Sequence, residues 1–165
     1  MTNVTKAVLW DLDSTICNTR HRQPMIPAIR AKAGPTWEDY SRACTDDTPV
    51  EGTIALVRLL DSMDPLAAVR QYAVSGRSEC ARDATLEWFK RHQVPIDDVF
   101  LRPDGDHTPN GRYKVGVIRR LRESGIDVVL LVEDWKQTAD YIREKTGVPV
   151  LLVQGDYDPE AGDNP

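Results

Sequence analysis

Long apolar runs are missing from this chain, and the longest falls far short of the ~20 residues that a membrane span requires. The opening residues, Met1-Thr2-Asn3-Val4-Thr5-Lys6, lack the apolar core of a secretory signal, so secretion is not indicated. Cysteine is scarce. Cys17, Cys44 and Cys80 are odd in number and show no C-x-x-C spacing, which argues against a disulfide framework or a zinc site and for a reducing cytoplasm. Positive charge is in deficit: 21 Lys and Arg against 26 Asp and Glu leave a net charge of -5. That balance speaks against nucleic acid binding by bulk electrostatics but leaves room for a locally basic groove. No G-x-x-x-x-G-K-[ST] phosphate loop occurs, which excludes a kinase built on that loop.

What is present is ordinary globular material. In 165 residues, 41% are hydrophobic and 28% charged. A chain of this size folds as one domain and buries about two-thirds of its unfolded surface. Residues 1–154 read as a single domain with a small helical insert over 16–49, and residues 155–165 as a loosely ordered acidic tail. Ala7 to Trp10 form a buried strand, and further strands are expected over Val69–Val74, Asp98–Leu101, Asp127–Val132 and Val150–Val153. Helical spacing falls between them: Ile54, Val57 and Leu60, stopping near Asp64-Pro65; Ala81 to about His92; Lys114, Val117, Ile118 and Leu121, ended by Gly125; and Thr138 to Lys145. In the insert, Thr36 followed by Asp39 marks a helix start, with the helix running through Tyr40 and Cys44. Strands alternating with helices predict an α/β, Rossmann-like, mostly parallel sheet flanked by helices.

The first strand delivers two carboxylates, Asp11 and Asp13. Residues i and i+2 of an extended chain share a face. Both acids therefore project beyond the strand's carboxyl end, where open α/β sheets bind their ligands. Two like charges that close need a cation between them or a proton on one of them. The pair suggests a metal-assisted phosphoryl-transfer site, with a solvated turn as the bland alternative. Three more polar stations fall at strand ends or helix starts: Ser75-Gly76-Arg77, Lys114 and Glu133-Asp134. Alone, each has an ordinary explanation: a turn, a snorkelling surface lysine, a helix cap. In a doubly wound sheet, however, all four converge on one edge.

In their order and placement, Asp11-Leu12-Asp13-Ser14-Thr15, Val74-Ser75-Gly76-Arg77, Lys114 and Val132-Glu133-Asp134 resemble the four motifs of the haloacid dehalogenase (HAD) superfamily, over residues 4 to about 153. Ser14 departs from the family's usual Gly and is expected to stiffen the turn. Glu133 stands where many members have Asp, leaving Asp134 the better metal ligand of the pair. The resemblance implies that Asp11 is a nucleophile forming an aspartyl-phosphate and Asp13 a general acid and base. It also implies that Mg²⁺ is held by Asp11, the Asp13 carbonyl and Asp134. Thr15, Ser75, Gly76 and Lys114 would then hold the phosphoryl oxygens. Within the superfamily, Val74 to Glu79, Leu101 to Asp106 ahead of Lys114, and Arg20-His21-Arg22 are similar to the 3′-phosphatase domain of phage-type polynucleotide kinases. By that similarity Arg22 and Arg77 contact the substrate phosphate or nucleic acid backbone, and Asp106 or Asn110 orders the Lys114 loop. Arg20, Arg22, Arg77, Arg82 and Arg102 would form a positive rim. The expected reaction is removal of 3′-phosphate from nucleic acid ends by a free-standing, membrane-independent phosphatase. A nucleotide or small-molecule phosphatase is the alternative on the same scaffold; a receiver-like phospho-acceptor or an inactive HAD-like interaction module is the non-enzymatic one.

Overall fold

Val8 and Trp10 face one side of the first strand and Leu9 the other, and both sides are sealed. The computed structural model describes residues 4–63 and 69–155. Its elements are β1 (Thr5–Trp10), β2 (Cys17–Asn18), α1 (Ile26–Arg30), α2 (Trp37–Arg42), β3 (Thr48–Pro49), α3 (Glu51–Asp61), β4 (Val69–Ser78), α4 (Arg82–Arg91), β5 (Asp98–Arg102), α5 (Asn110–Glu123), β6 (Ile126–Glu133), α6 (Lys136–Thr146) and β7 (Val150–Leu152). Five strands form one parallel sheet in the order β5-β4-β1-β6-β7. The α/β, Rossmann-like expectation is therefore met. The chain builds outward from β1 to β5 on one side, then returns to start again at β6 on the other. That reversal opens a crevice at the carboxyl ends of β1 and its two neighbours, the place where such sheets bind ligands.

Two layers of helices cover the sheet. Ile54 and Val57 of α3 pack with Trp88 and Phe89 of α4 against Val8 and Trp10. On the opposite face, Val117, Ile118 and Leu121 of α5 join Ala139 and Ile142 of α6 against Leu9 and Leu131. The i, i+3, i+4 spacing within each helix produces those stripes, and the near-continuous apolar character of β6 follows from cover on both faces. Among the described residues no helix is long and apolar enough to cross a membrane.

The segment between β1 and α3 is more structured than its sequence indicated. Its Thr36–Asp39 capping box forms as expected, with Thr36 Oγ1 accepting from Asp39 N at 3.1 Å and Asp39 accepting from Thr36 N at 2.9 Å. The helix continues past α2 as a 3-10 turn over Ala43–Asp46. Unanticipated are α1 and the antiparallel ribbon that pairs Cys17 with Pro49 and Asn18 with Thr48. Two-residue strands are too short to leave a period in the sequence. Two further expectations, the helix stop at Asp64-Pro65 and the acidic tail from 156 onward, lie outside the described residues; α3 itself ends at Asp61.

Trp88 joins the core to this segment, being 1% exposed with its Nε1 donating to the Asp47 carbonyl at 2.7 Å. Replacing so large a buried ring by Ala costs about 3–5 kcal/mol. Trp88→Ala is accordingly expected to lower the melting temperature by about 10 °C. A melt by circular dichroism checks this, and a shift under about 3 °C would show that the contact is dispensable.

Candidate active site

At the end of β1 the backbone turns sharply. The Leu12 carbonyl accepts from the amides of Thr15, Ile16 and Cys17 at 3.2, 2.9 and 2.9 Å. Ser14 takes φ 66°, a left-handed conformation that costs a non-glycine residue about 1–2 kcal/mol. Its hydroxyl shares a buried 3.0 Å hydrogen bond with that of Thr19, which fixes the turn. The two aspartates flanking Leu12 both line one cavity but meet different cations.

Asp11 faces Lys114. The lysine is fully buried, and its Nζ donates to Asp11 Oδ1 at 2.5 Å and to Glu133 Oε2 at 2.7 Å. Burial alone would lower its pKa, but the two carboxylates more than reverse this and hold it charged. Thr15 Oγ1 lies 3.0 Å from Asp11 Oδ2 and 3.2 Å from Asp134 Oδ1. Glu133 Oε1 accepts the Trp135 amide at 3.1 Å. Burial, offset in part by Lys114, pushes the Asp11 carboxyl up to about 7. Burial, reinforced by Asp11 and Glu133, pushes Asp134 up to about 9. Oxygens of Asp11, Glu133 and Asp134 lie within 4.8 Å of one another, and Asp134 Oδ2 is buried without a hydrogen-bond partner. With all three carboxyls ionised, the cluster falls two charges short of balance against one ammonium, a deficit that a divalent cation would fill in place of the protons that the raised pKa values favour. An all-oxygen donor set suits a hard cation.

Asp13 sits among guanidiniums instead. Arg22 Nη2 donates to its Oδ1 at 2.6 Å, and Arg77 Nη2 donates to the same oxygen. Burial would raise this carboxyl, but the two arginines reverse the effect and hold it well below the usual carboxylate range. Behind them lies Asp47, which accepts from Arg22 Nε at 2.8 Å, Arg22 Nη2 at 2.7 Å and Arg77 Nη2 at 3.3 Å. Its side chain is wholly buried, whereas that of Asp13 keeps 22% exposure and so remains open to the cavity. Arg22 also stacks over the Tyr40 ring at 4.3 Å. The exposed positive rim does not form as expected: Arg22 and Arg77 are interior, and Arg82 is tied to Glu79. Arg77 does line the cavity, and its Nε is buried without a partner.

The third wall comes from the end of β4 and the loop after β5. Ser75 Oγ accepts the Arg77 amide at 3.1 Å. A side chain at Gly76 would collide with Asn110 Oδ1 and the Arg102 guanidinium, which pair with each other at 3.1 Å. Asp104 accepts from Ser78 Oγ at 2.5 Å and from the Cys80 amide at 2.8 Å, and Asp106 accepts from the Thr108 amide at 2.8 Å. Asn110, expected in the loop, instead opens α5 and sets the helix that carries Lys114. The structure thus gathers Asp11, Asp13, Thr15, Ser75, Gly76, Arg77, Lys114 and Asp134 at one sheet edge, with Arg22 behind. Sequence reasoning missed Asp47; an acid next to the Thr-Pro that leads into α3 was the faint signal.

An aspartate just beyond the central strand shares one lysine with the glutamate that ends the strand across the switch point, as expected from the resemblance to HAD-type hydrolases. Residues 5–157 match the family model described as the polynucleotide kinase PNKP phosphatase domain, and the chain belongs to that family. Two structures of the Pnkp1/Rnl/Hen1 complex contain chains of similar fold. One superposes with a TM-score of 0.74 at 18% identity, over 95% of this chain and 45% of that one. The other gives 0.75 at 20% identity, over 95% and 49%. This chain therefore spans about half the length of those chains. A HAD family enzyme from Bacteroides thetaiotaomicron, bt-2542, solved in complex with magnesium and inorganic phosphate, has a TM-score of 0.53 at 11% identity, over 93% and 96%. At these identities the likeness is one of fold. Among curated proteins no match was found.

Two predictions follow from this charge distribution. A carboxyl whose folded pKa is raised makes the unfolded chain bind fewer protons in the interval between its two values, so stability falls as pH rises through it. With Asp134 near 9 and Asp11 near 7, the metal-free protein should melt progressively lower from about pH 5 to 9. Added Mg²⁺ and the Asp134→Asn substitution should each flatten that slope, as read in melts across pH; a slope untouched by either would rule the cluster out as its origin. Asp47→Ala leaves two buried guanidiniums on one carboxylate, and breaking such a group costs about 3–5 kcal/mol. Denaturant unfolding should register that loss, and a cost below about 1 kcal/mol would mean the arginines do not depend on Asp47.

Proposed function

We propose that this protein is a Mg²⁺-dependent phosphomonoesterase that removes 3′-phosphate from nucleic acid ends, with residues 1–154 acting as one catalytic unit and 16–49 as its insert. The observation that carries the reading is the division of environment between Asp11 and Asp13. Asp11 belongs to a metal-binding carboxylate cluster and Asp13 to a guanidinium cluster, although one residue separates them. Carboxylates whose surroundings drive their proton affinities apart are suited to different chemical roles.

An oxygen of Asp11 attacks phosphorus, the bond from phosphorus to the ester oxygen breaks, and an aspartyl-phosphate forms. The leaving oxygen takes a proton from Asp13. At rest Asp13 is ionised; an arriving phosphoryl group competes for Arg77, whose Nε has no other partner, and so releases Asp13 to take up one proton from solvent before it donates that proton to the leaving oxygen. In the second half, Asp13 removes a proton from the water that attacks the aspartyl-phosphate, which restores Asp11 and frees phosphate. Lys114, Thr15, Ser75 and the backbone at Gly76 hold phosphoryl oxygens, and Arg22 steadies Asp13 from behind. Asp11, the Asp13 carbonyl and Asp134, with Glu133 nearby, would hold Mg²⁺, which when bound would supply charge compensation for an anionic substrate facing anionic side chains.

Family membership supports a phosphatase, and the Pnkp1 chains of similar fold come from an RNA repair complex, which agrees with a nucleic acid end as substrate. A nucleotide or other small phosphomonoester is the second reading, favoured by a cavity of only about 240 Å³. Three unpaired cysteines suit the cytoplasm. The test measures phosphate release from a 3′-phosphorylated oligonucleotide, its 5′-phosphorylated counterpart, free nucleotides and an aryl phosphate, with Mg²⁺ or with a chelator. The 3′-end should be preferred, chelation should stop release, and Asp11→Asn or Asp13→Asn should reduce it by about 10²–10⁴-fold. Faster turnover of free nucleotides would select the second reading, and full activity in Asp11→Asn would sink both.

A further inference from the structure

The cavity over Asp11 and Asp13 has unlike walls. The end of β5, the loop after it and the start of α5 present polar groups, among them Arg102, Asp106 and Asn110. By contrast, α2 presents Trp37, a half-buried indole whose ring meets Tyr40 edge to face, with centroids 5.7 Å apart and planes at 79°. Tyr40 is in turn capped by the Arg22 guanidinium, and its carbonyl accepts from Arg22 Nη1 at 3.2 Å. A short ladder, guanidinium to phenol ring to indole, therefore runs from the arginine that holds Asp13 to the cavity wall. The helix is fixed in two further ways: by its capping box, and by Ser41 Oγ, which accepts the Ser78 amide at 3.1 Å. Trp37 is thus a rigid aromatic surface at a set place relative to the reacting carboxylates.

Such a surface offers little to a phosphate, whereas any nucleobase can stack on it regardless of sequence. Asp11 and Trp37 line the same cavity, so a phosphoryl group on Asp11 brings the unit it is esterified to among Trp37 and the residues that follow β5. At about 240 Å³ the space is smaller than the roughly 300–1,000 Å³ of pockets for drug-sized ligands, and it suits one terminal unit with the remaining strand outside. We infer that Trp37 is a stacking platform for the nucleobase of the substrate's terminal nucleotide, a subsite that rests on the nucleic-acid-end reading above. It makes the enzyme sensitive to whether the last unit carries a base, and tolerant of which base it is.

The experiment compares KM for phosphate release from a 3′-phosphorylated oligonucleotide ending in adenosine with KM for the same oligonucleotide ending in an abasic unit. Wild-type protein should favour the base-bearing end by about tenfold. Trp37→Ala should bring the two KM values within about twofold, and Trp37→Phe should restore most of the preference. Because the ratio is taken within one preparation, loss of folded protein leaves it unaffected; Trp37→Leu, which keeps bulk against Tyr40, gives the same reading should the alanine variant not fold. A preference that survives loss of the indole, or is absent from the wild type while both ends are hydrolysed, overturns the subsite and leaves the proposed function intact. Turnover of an aryl phosphate with release from neither oligonucleotide would instead remove that function, and the subsite with it.

Discussion

One buried ammonium organises the carboxyl edge of this sheet. Lys114 extends from the first turns of α5 between Asp11, just beyond β1, and Glu133, the last residue of β6, and no part of it reaches solvent. A charge taken out of water must find opposite charge, or it costs several kcal/mol. Lys114 therefore fixes where α5 may begin and how the ends of β1 and β6 sit together. The acids outnumber it, however. Asp134 is pushed against the same pair with one of its oxygens unpartnered, so the excess negative charge is met by protons, as the raised carboxyls show, or by a cation that accepts oxygen ligands.

The insert between β1 and α3 performs the complementary task. It contributes Arg22 and Asp47, and β4 contributes Arg77; the three enclose Asp13 in a group of two carboxylates and two guanidiniums that is electrically balanced. The indole nitrogen of Trp88 reaches the Asp47 carbonyl from the hydrophobic core, so the charge group is anchored to packing as well as to itself. Asp11 and Asp13 could not acquire opposite tendencies from β1 alone, since one residue separates them. The contrast is produced by α5 and β6 on one side and by the insert with β4 on the other. A segment built of short helical turns and a two-pair ribbon is thereby part of the candidate site's architecture rather than a loop around it.

Much of the scaffold was legible because its signals are local. The apolar runs before Ser75 and Glu133, and the helical spacing around Val57, Trp88, Ile118 and Ile142, each announce an element without reference to the rest of the chain. The four polar stations were legible for a related reason, since each lies at or just beyond the end of a strand or within a helix's first turns. What stayed hidden depends on distant partners. Nothing in Arg20-His21-Arg22 says that the third residue is sealed while the first stays exposed; that follows from Asp13 and Asp47 meeting there. Asp47 itself reads as a turn residue until both arginines are placed around it. Asn110 and Gly111 are poor helix formers after a proline, so they resembled loop; their place in α5 is set by Arg102 and by Tyr141, which lies where a side chain on Gly111 would point.

The acidic balance of the chain, which at first counts against a polyanionic substrate, bears on the surface and not on the site. Net charge governs long-range attraction, which falls away within a Debye length of about 8 Å at physiological ionic strength. At the site the relevant cations are interior and already paired: Arg22 and Arg77 with Asp13 and Asp47, Lys114 with Asp11 and Glu133. They project little field, and they meet a phosphoryl group only once it lies among the carboxylates. On the proposed reaction, recognition is then a matter of contact. It depends on the unpartnered Arg77 Nε, on a cation in the acidic cluster, and on the fit of the terminal unit between α2 and the loop after β5. A protein with a surplus of negative charge can act on phosphate esters under those conditions, because the charges that decide the chemistry are held where solvent and salt do not screen them.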